Sequence, residues 1–186
     1  MSVAVGVEYD GGVMLAWDQA CTTDQGMVHV NGKGFLREDL GIGFALTGLQ
    51  HDQLVRWAME ATPPSQRQEN EGYLVTSLIP AMRKCFDEAR IQDGEASAEW
   101  DCLVAIRGEL WNIDSDYCAI RPLRGHFAIG SGAAYAMAAL EARPILDNER
   151  DHAVASEWAE HAILSACSLS KDCGVLGDVP MVEVPS

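Results

Sequence analysis

Residues 2–18 read Ser2-Val3-Ala4-Val5-Gly6-Val7-Glu8-Tyr9-Asp10-Gly11-Gly12-Val13-Met14-Leu15-Ala16-Trp17-Asp18. Val3, Val5, Val7 and Tyr9 alternate with Ser2, Ala4, Gly6 and Glu8, the period of two that marks a strand with unlike faces. Asp10-Gly11-Gly12 is a turn sequence, and Val13–Trp17 is a second apolar run, so the stretch predicts a β-hairpin. One face of its first strand begins with Ser2, Ala4 and Gly6. So small a face leaves room for another element, or a ligand, to come close.

Working outward, the polar residues Thr22 to Gly26 predict a loop, and Met27–Val30 and Gly41–Leu46 predict further strands, the second ended by Gly48. A helix is expected over Gln50 to Ala61, stopped by Pro63-Pro64. Leu74, Leu78, Met82, Cys85 and Ala89 recur at helical spacing between Tyr73 and Arg90, and Pro80 inside that pattern predicts a kink or the true first turn. After a polar loop over Gln92–Glu99, the runs Asp101–Ile106, Glu109–Ile113, Tyr117–Ile120 and His126–Ile129 follow at short intervals, as in an antiparallel meander. Gly130-Ser131-Gly132 opens an Ala-rich helix to Glu141, a last helix covers Arg150 to Leu169, and Asp178–Val184 is a closing strand. The order of elements predicts an α+β fold: two antiparallel sheets covered by helices on their outer faces, with residues 1–186 forming a single domain.

Composition narrows the function. The chain has 186 residues, 48% of them hydrophobic, with 13 Lys+Arg against 28 Asp+Glu and a formal net charge of −15. Its first basic side chain is Lys33 and no three basic residues are consecutive, which argues against nucleic acid and anionic membranes as partners. The longest apolar stretch, Ala133 to Leu140, is far shorter than the roughly 20 residues of a membrane span. Residues 1–30 hold no Lys or Arg for a secretory n-region, so a cytoplasmic location is expected. The six cysteines lack C-x-x-C spacing and read as small buried hydrophobes, and the five histidines show no H-E-x-x-H pattern. Neither a metal nor a cofactor is expected, since Gly130-Ser131-Gly132 has neither the third glycine of a dinucleotide loop nor the Lys of a phosphate loop.

The N-terminus remains. Met1 precedes a residue small enough for methionine aminopeptidase to expose, and Ser2 begins a buried-looking strand. A hydroxyl on the first residue of a chain carries its own base, because an α-amino group with a reference pKa of about 8 is partly neutral at cell pH.

The stretch Ser2–Val7 followed by Asp10–Asp18 resembles the opening of proteasome β subunits and of the bacterial HslV-type peptidase subunit. Asn31-Gly32-Lys33, Phe44–Leu49, Ala128–Gly132, Ser165-Ala166-Cys167, Lys171-Asp172 and Gly177-Asp178-Val179 resemble later segments of the same family, in the same order. The resemblance implies a four-layer αββα sandwich of the N-terminal-nucleophile hydrolase type. It also implies roles: Ser2 as nucleophile in place of the family's Thr, Asp18 as partner of a catalytic Lys, Gly48 as oxyanion donor, and Ser131 with Asp172 orienting the terminal amine. Cys21, Gly32 and Leu46 would line the specificity pocket. Read without gaps, the Lys position falls on Gly34; Lys33 reaches Asp18 only if the Asp24–Asn31 loop is one residue shorter than usual, since a one-residue slip reverses a strand's faces.

The activity implied is that of a self-compartmentalising peptidase subunit acting on peptides or unfolded proteins, assembled as a homo-oligomeric ring and fed by an ATP-dependent unfoldase. A catalytically impaired homologue with a ring-forming or structural role is the alternative.

Overall fold

The hairpin expected from the alternation forms, with Gly12 in its second strand. In the computed structural model, β1 (Ala4–Tyr9) and β2 (Gly12–Trp17) pair antiparallel, from Ala4 opposite Trp17 to Tyr9 opposite Gly12. The structure describes residues 2–23, 26–29, 32–48, 52–65, 67–89, 100–142 and 151–186. Three further strands in the first half are β3 (Ala20–Thr23), β4 (Gly26–His29) and β5 (Gly34–Arg37). Next come β6 (Ile42–Thr47), the helices α1 (Asp52–Ala61), α2 (Asn70–Tyr73) and α3 (Ile79–Glu88), and the strands β7 (Asp101–Ile106), β8 (Glu109–Asp114), β9 (Ala119–Ile120) and β10 (His126–Ile129). The chain closes with α4 (Ala133–Ala142), α5 (His152–Leu169) and β11 (Met181–Pro185).

Two antiparallel sheets result, ordered β10-β1-β2-β11 and β5-β6-β7-β8-β9, with β3-β4 as a separate ribbon. Alternation sorts their side chains into three cores. Val3, Val5, Val7, Met14 and Ala16 pack against Ala136, Leu140, Trp158, Ala162 and Ile163 of α4 and α5. Ile42, Phe44, Leu46, Val104 and Ile113 pack against Val55, Met59, Met82 and Phe86 of α1 and α3. Between the sheets lie Ala4, Val13, Leu15, Trp17, Ala45, Leu103 and Leu110. Helix, sheet, sheet and helix are therefore stacked in four layers, the αββα arrangement. The small face of β1 is filled by the second sheet: a Cβ on Gly6 would lie 2.4 Å from Leu110 Cδ1.

Several boundaries differ from those expected. Residues 20–23 and 26–29 form a ladder, Ala20 opposite His29 and Thr23 opposite Gly26, where a polar loop was expected. Backbone hydrogen bonds suffice for such a ribbon, so no apolar alternation announces it. Half-buried β5, an edge strand, likewise has no pattern of its own. The strand expected at Tyr117–Ile120 shrinks to Ala119–Ile120, because Asp114 Oδ1 accepts the amides of Asp116 and Cys118 and Tyr117 adopts a φ of 62°. The strand expected at Asp178–Val184 begins at Met181, with Pro185 at its end on the sheet edge, where a missing N–H is tolerated. Pro80 lies in the first turn of α3, preceded by a π turn over Leu74–Leu78 that joins α2 to α3. The starts expected for two helices, at Gln50 and Arg150, and the loop over Gln92–Glu99 lie outside the described residues.

None of the six cysteines is in a disulfide; Cys102 and Cys173 are buried, Cys118 is exposed and the others are half-buried. Among the described residues no cluster of His, Cys, Asp or Glu could hold a metal ion. No helix among them is long and apolar enough to cross a membrane.

Candidate active site

Ser2 is held by its backbone at the mouth of the first sheet. Its N donates to Ser131 Oγ at 3.1 Å, and its carbonyl accepts from Ser131 Oγ at 3.3 Å and from the Gly132 amide at 3.2 Å. Residues 130–132 link β10 to α4, so pairing of β10 with β1 delivers this turn to Ser2. Gly130 must be glycine: its φ is 89°, and a Cβ there would lie 2.3 Å from the Ser2 carbonyl oxygen. Ser2 is only 7% exposed. Among the described residues, none hydrogen-bonds its Oγ.

Beneath it lies a buried ion pair. Asp18, directly after β2 and fully buried, accepts Lys33 Nζ at 2.6 Å and the Val3 amide at 2.9 Å on Oδ1. Its Oδ2 accepts the amides of Ala20 at 3.2 Å and Gly174 at 3.1 Å. Four donors on one carboxylate, one of them an ammonium, are what a buried charge requires. Lys33 Nζ also donates to the Ala20 carbonyl. Because the Asp18 amide donates in turn to the Val3 carbonyl at 3.0 Å, the residue following Ser2 is clamped in both directions.

Of the two registers open to the sequence, Lys33 is the one on Asp18. Gly34 could not carry a side chain there, since its Cβ would lie 2.3 Å from two ring atoms of Trp17 in the core between the sheets. Gly34→Ala is expected to lower stability by about 1–3 kcal/mol through overpacking. For a chain of this size that corresponds to roughly 2–12 °C in the calorimetric midpoint; an unchanged midpoint would show that Trp17 does not fix this register.

The other residues singled out by the sequence divide. Gly48 directly follows β6, exposed and with a φ of 86°. Its neighbour Thr47 reaches the same turn, as Thr47 Cγ2 would be 3.0 Å from a Gly130 Cβ. Ser131 is on Ser2. Asp172 is not: among the described residues its carboxylate hydrogen-bonds neither Ser131 nor Ser2, while its amide donates to Ser170 Oγ at 3.3 Å. Cys21 and Gly32 are half-buried, whereas Leu46 is sealed in the core under α1.

Residues not singled out complete the site. Gly174 holds Asp18 from 156 positions away, which no local pattern reveals. Cys167 and Cys173 flank the pair. Burial, then the Asp18 carboxylate and the neighbouring Cys173, push the Cys167 thiol up to about 12. Burial and Asp18 raise Cys173 as well. Both stay protonated at neutral pH and are poor nucleophiles, since the thiolate is the reactive form. The arrangement thus offers a hydroxyl on residue 2, a fixed cation close to its strand, and a turn holding its backbone nitrogen.

No protein-family model and no curated protein matches the chain. Solved structures do. BPH from Thiobacillus denitrificans superposes with a TM-score of 0.74 at 17% identity, over 98% of both chains. Eukaryotic HslV from Trypanosoma brucei gives 0.66 at 22% identity, over 97% of this chain and 99% of that one. Anbu, an ancestral β-subunit from Yersinia bercovieri, gives 0.74 at 15% identity, over 98% of this chain and 81% of that one. The αββα fold is that of the proteasome-β and HslV type, as the opening hairpin suggests.

Proposed function

We propose that the chain is a proteasome-like peptidase subunit whose nucleophile is Ser2, exposed by removal of Met1. The carrying observation is the buried Lys33–Asp18 pair, clamped to Val3 immediately beside Ser2. In the proposed cycle the neutral Ser2 amine takes the Ser2 Oγ proton as that oxygen attacks a peptide carbonyl. The positive field of Lys33 favours the alkoxide, and the Gly48 amide stabilises the oxyanion. The protonated amine then gives its proton to the leaving peptide nitrogen, leaving an acyl ester on Ser2. A water, deprotonated by the same amine, releases the acid and restores the hydroxyl.

The HslV and ancestral β-subunit likeness supports assembly as a homo-oligomer; enclosed sites, action on unfolded protein in the cytoplasm and an ATP-dependent unfoldase are part of the proposed reading. A second reading, a catalytically silent ring-forming homologue, is favoured by one feature. The Lys33 hydrogen bonds go to Asp18 and Ala20, and among the described residues none reaches Ser2 Oγ.

The test compares protein processed to begin at Ser2 with the same protein retaining Met1. The first hydrolyses fluorogenic peptide amides, and the second, whose Ser2 nitrogen is an amide rather than an amine, does not. Hydrolysis by neither, or at equal rates by both, removes the reading.

A further inference from the structure

Among the described residues the buried polar and charged side chains are Ser2, Asp18, Lys33, Thr47, Asn112 and His126. The first three form the candidate site. Thr47, 2% exposed, calls for an explanation of its own, because a hydroxyl withdrawn from water needs a polar partner or a role.

Strand alternation shows which way it faces. Leu46 packs under α1 while Ala45 lies in the core between the sheets, so Thr47 faces the space between the sheets at the end of β6. The same rule places Ser2. Val3 packs against α4 and α5 and Ala4 lies between the sheets, which puts the Ser2 side chain on the inner face too. The two hydroxyl-bearing side chains therefore enter one mouth from opposite sheets. At the Gly130 turn they come together: a Cβ there would lie 2.3 Å from the Ser2 carbonyl oxygen, 3.0 Å from its carbonyl carbon and 3.0 Å from Thr47 Cγ2. With its methyl against this turn, the β-branched side chain is restricted about χ1 and its hydroxyl is confined to the mouth. Thr47 also immediately precedes Gly48, whose amide is the oxyanion donor of the proposed cycle. A hydroxyl and the amide of the next residue leave the chain close together, so both can point at one oxygen.

We propose that Thr47 is a further catalytic residue, its hydroxyl donating, beside the Gly48 amide, to the oxygen that becomes negative when Ser2 attacks. The inference rests on the peptidase reading. In that step Ser2 Oγ bonds to the peptide carbonyl carbon, the Oγ proton passes to the Ser2 amine, and the carbonyl π pair moves onto the oxygen. A hydrogen bond to the negative oxygen is stronger than one to the neutral carbonyl. A donor placed there lowers the barrier more than it tightens substrate binding.

Valine keeps the shape of threonine, including the methyl against Gly130, and lacks the hydroxyl. In protein processed to begin at Ser2, Thr47→Val is expected to lose about ten- to a hundredfold in kcat on a fluorogenic peptide amide, with KM unchanged. Thr47→Ser, which keeps a hydroxyl and lacks the methyl, should retain most of the wild-type rate. A peptide boronic acid, which adds to a serine oxygen as a tetrahedral anion, should bind Thr47→Val more weakly by the same factor as the loss in kcat. If Thr47→Val does not fold, Thr47→Ala serves the same comparison. A Val variant equal to wild type in kcat and in boronate affinity, one altered in KM alone, or equal losses in Val and Ser overturns the proposal. Wild-type protein that neither hydrolyses the amide nor binds the boronate overturns the peptidase reading, and the role of Thr47 falls with it.

Discussion

Alanine at position 2 abolishes peptide-amide hydrolysis, by at least about a thousandfold, while the protein melts within about 2 °C of wild type. The two halves of this result have separate origins. Every hydrogen bond that fixes residue 2 uses its backbone: the N to Ser131, and the carbonyl to Ser131 and Gly132. Alanine keeps all of them, and the lost hydroxyl leaves no donor or acceptor orphaned, because among the described residues none is bonded to it. Chemistry, by contrast, loses the atom that forms the acyl bond, and neighbouring Cys167 and Cys173 are held protonated and cannot substitute. Activity in purified Ser2→Ala comparable with wild type would exclude Ser2 as nucleophile. A large fall in melting temperature would instead mean that the hydroxyl has a structural partner.

What could be read from the sequence follows the range of the interactions. The opening hairpin is legible because alternation and an Asp-Gly-Gly turn are local, and the helical spacings from Tyr73 to Arg90 are legible for the same reason. Tyr117 and Cys118 read as strand but bend, since the Asp114 carboxylate captures two nearby amides and outweighs side-chain propensity. At the site, residue types are visible and geometry is not. Lys33 and Gly34 could be separated only by knowing that the Trp17 ring occupies the space beside Gly34. Cys173 reads as one more buried cysteine until the last helix brings it onto Gly132. Asp172, whose identity fits an orienting acid, makes no such contact with Ser131. The charge of −15 argues against nucleic acid as a partner but says nothing of the buried Lys33–Asp18 pair on which the proposed chemistry depends.

That pair defines the largest stability effect expected. Asp18→Ala removes the acceptor for three backbone amides, those of Val3, Ala20 and Gly174, and for the Lys33 ammonium. Each orphaned buried amide costs about 1–3 kcal/mol, and an uncompensated buried charge about 3–5 kcal/mol. Even with partial relaxation the sum exceeds about 5 kcal/mol, comparable with the whole stability of a marginal domain, so Asp18→Ala should be unfolded at 37 °C or melt at least about 10 °C lower. Lys33→Met should be milder, because the carboxylate it leaves unpaired keeps its three amides and loses only the ammonium. The double variant then lies between the two: removing Lys33 as well relieves the stranded charge of Asp18→Ala but not its orphaned amides. Calorimetry on the three proteins distinguishes this ordering from a simple ion pair. If the pair alone mattered, Asp18→Ala and Lys33→Met would be equally destabilised and the double variant no worse than either. That outcome would place the clamp on Val3 elsewhere, and with it the means by which the ion pair fixes the start of β1 beside Ser2.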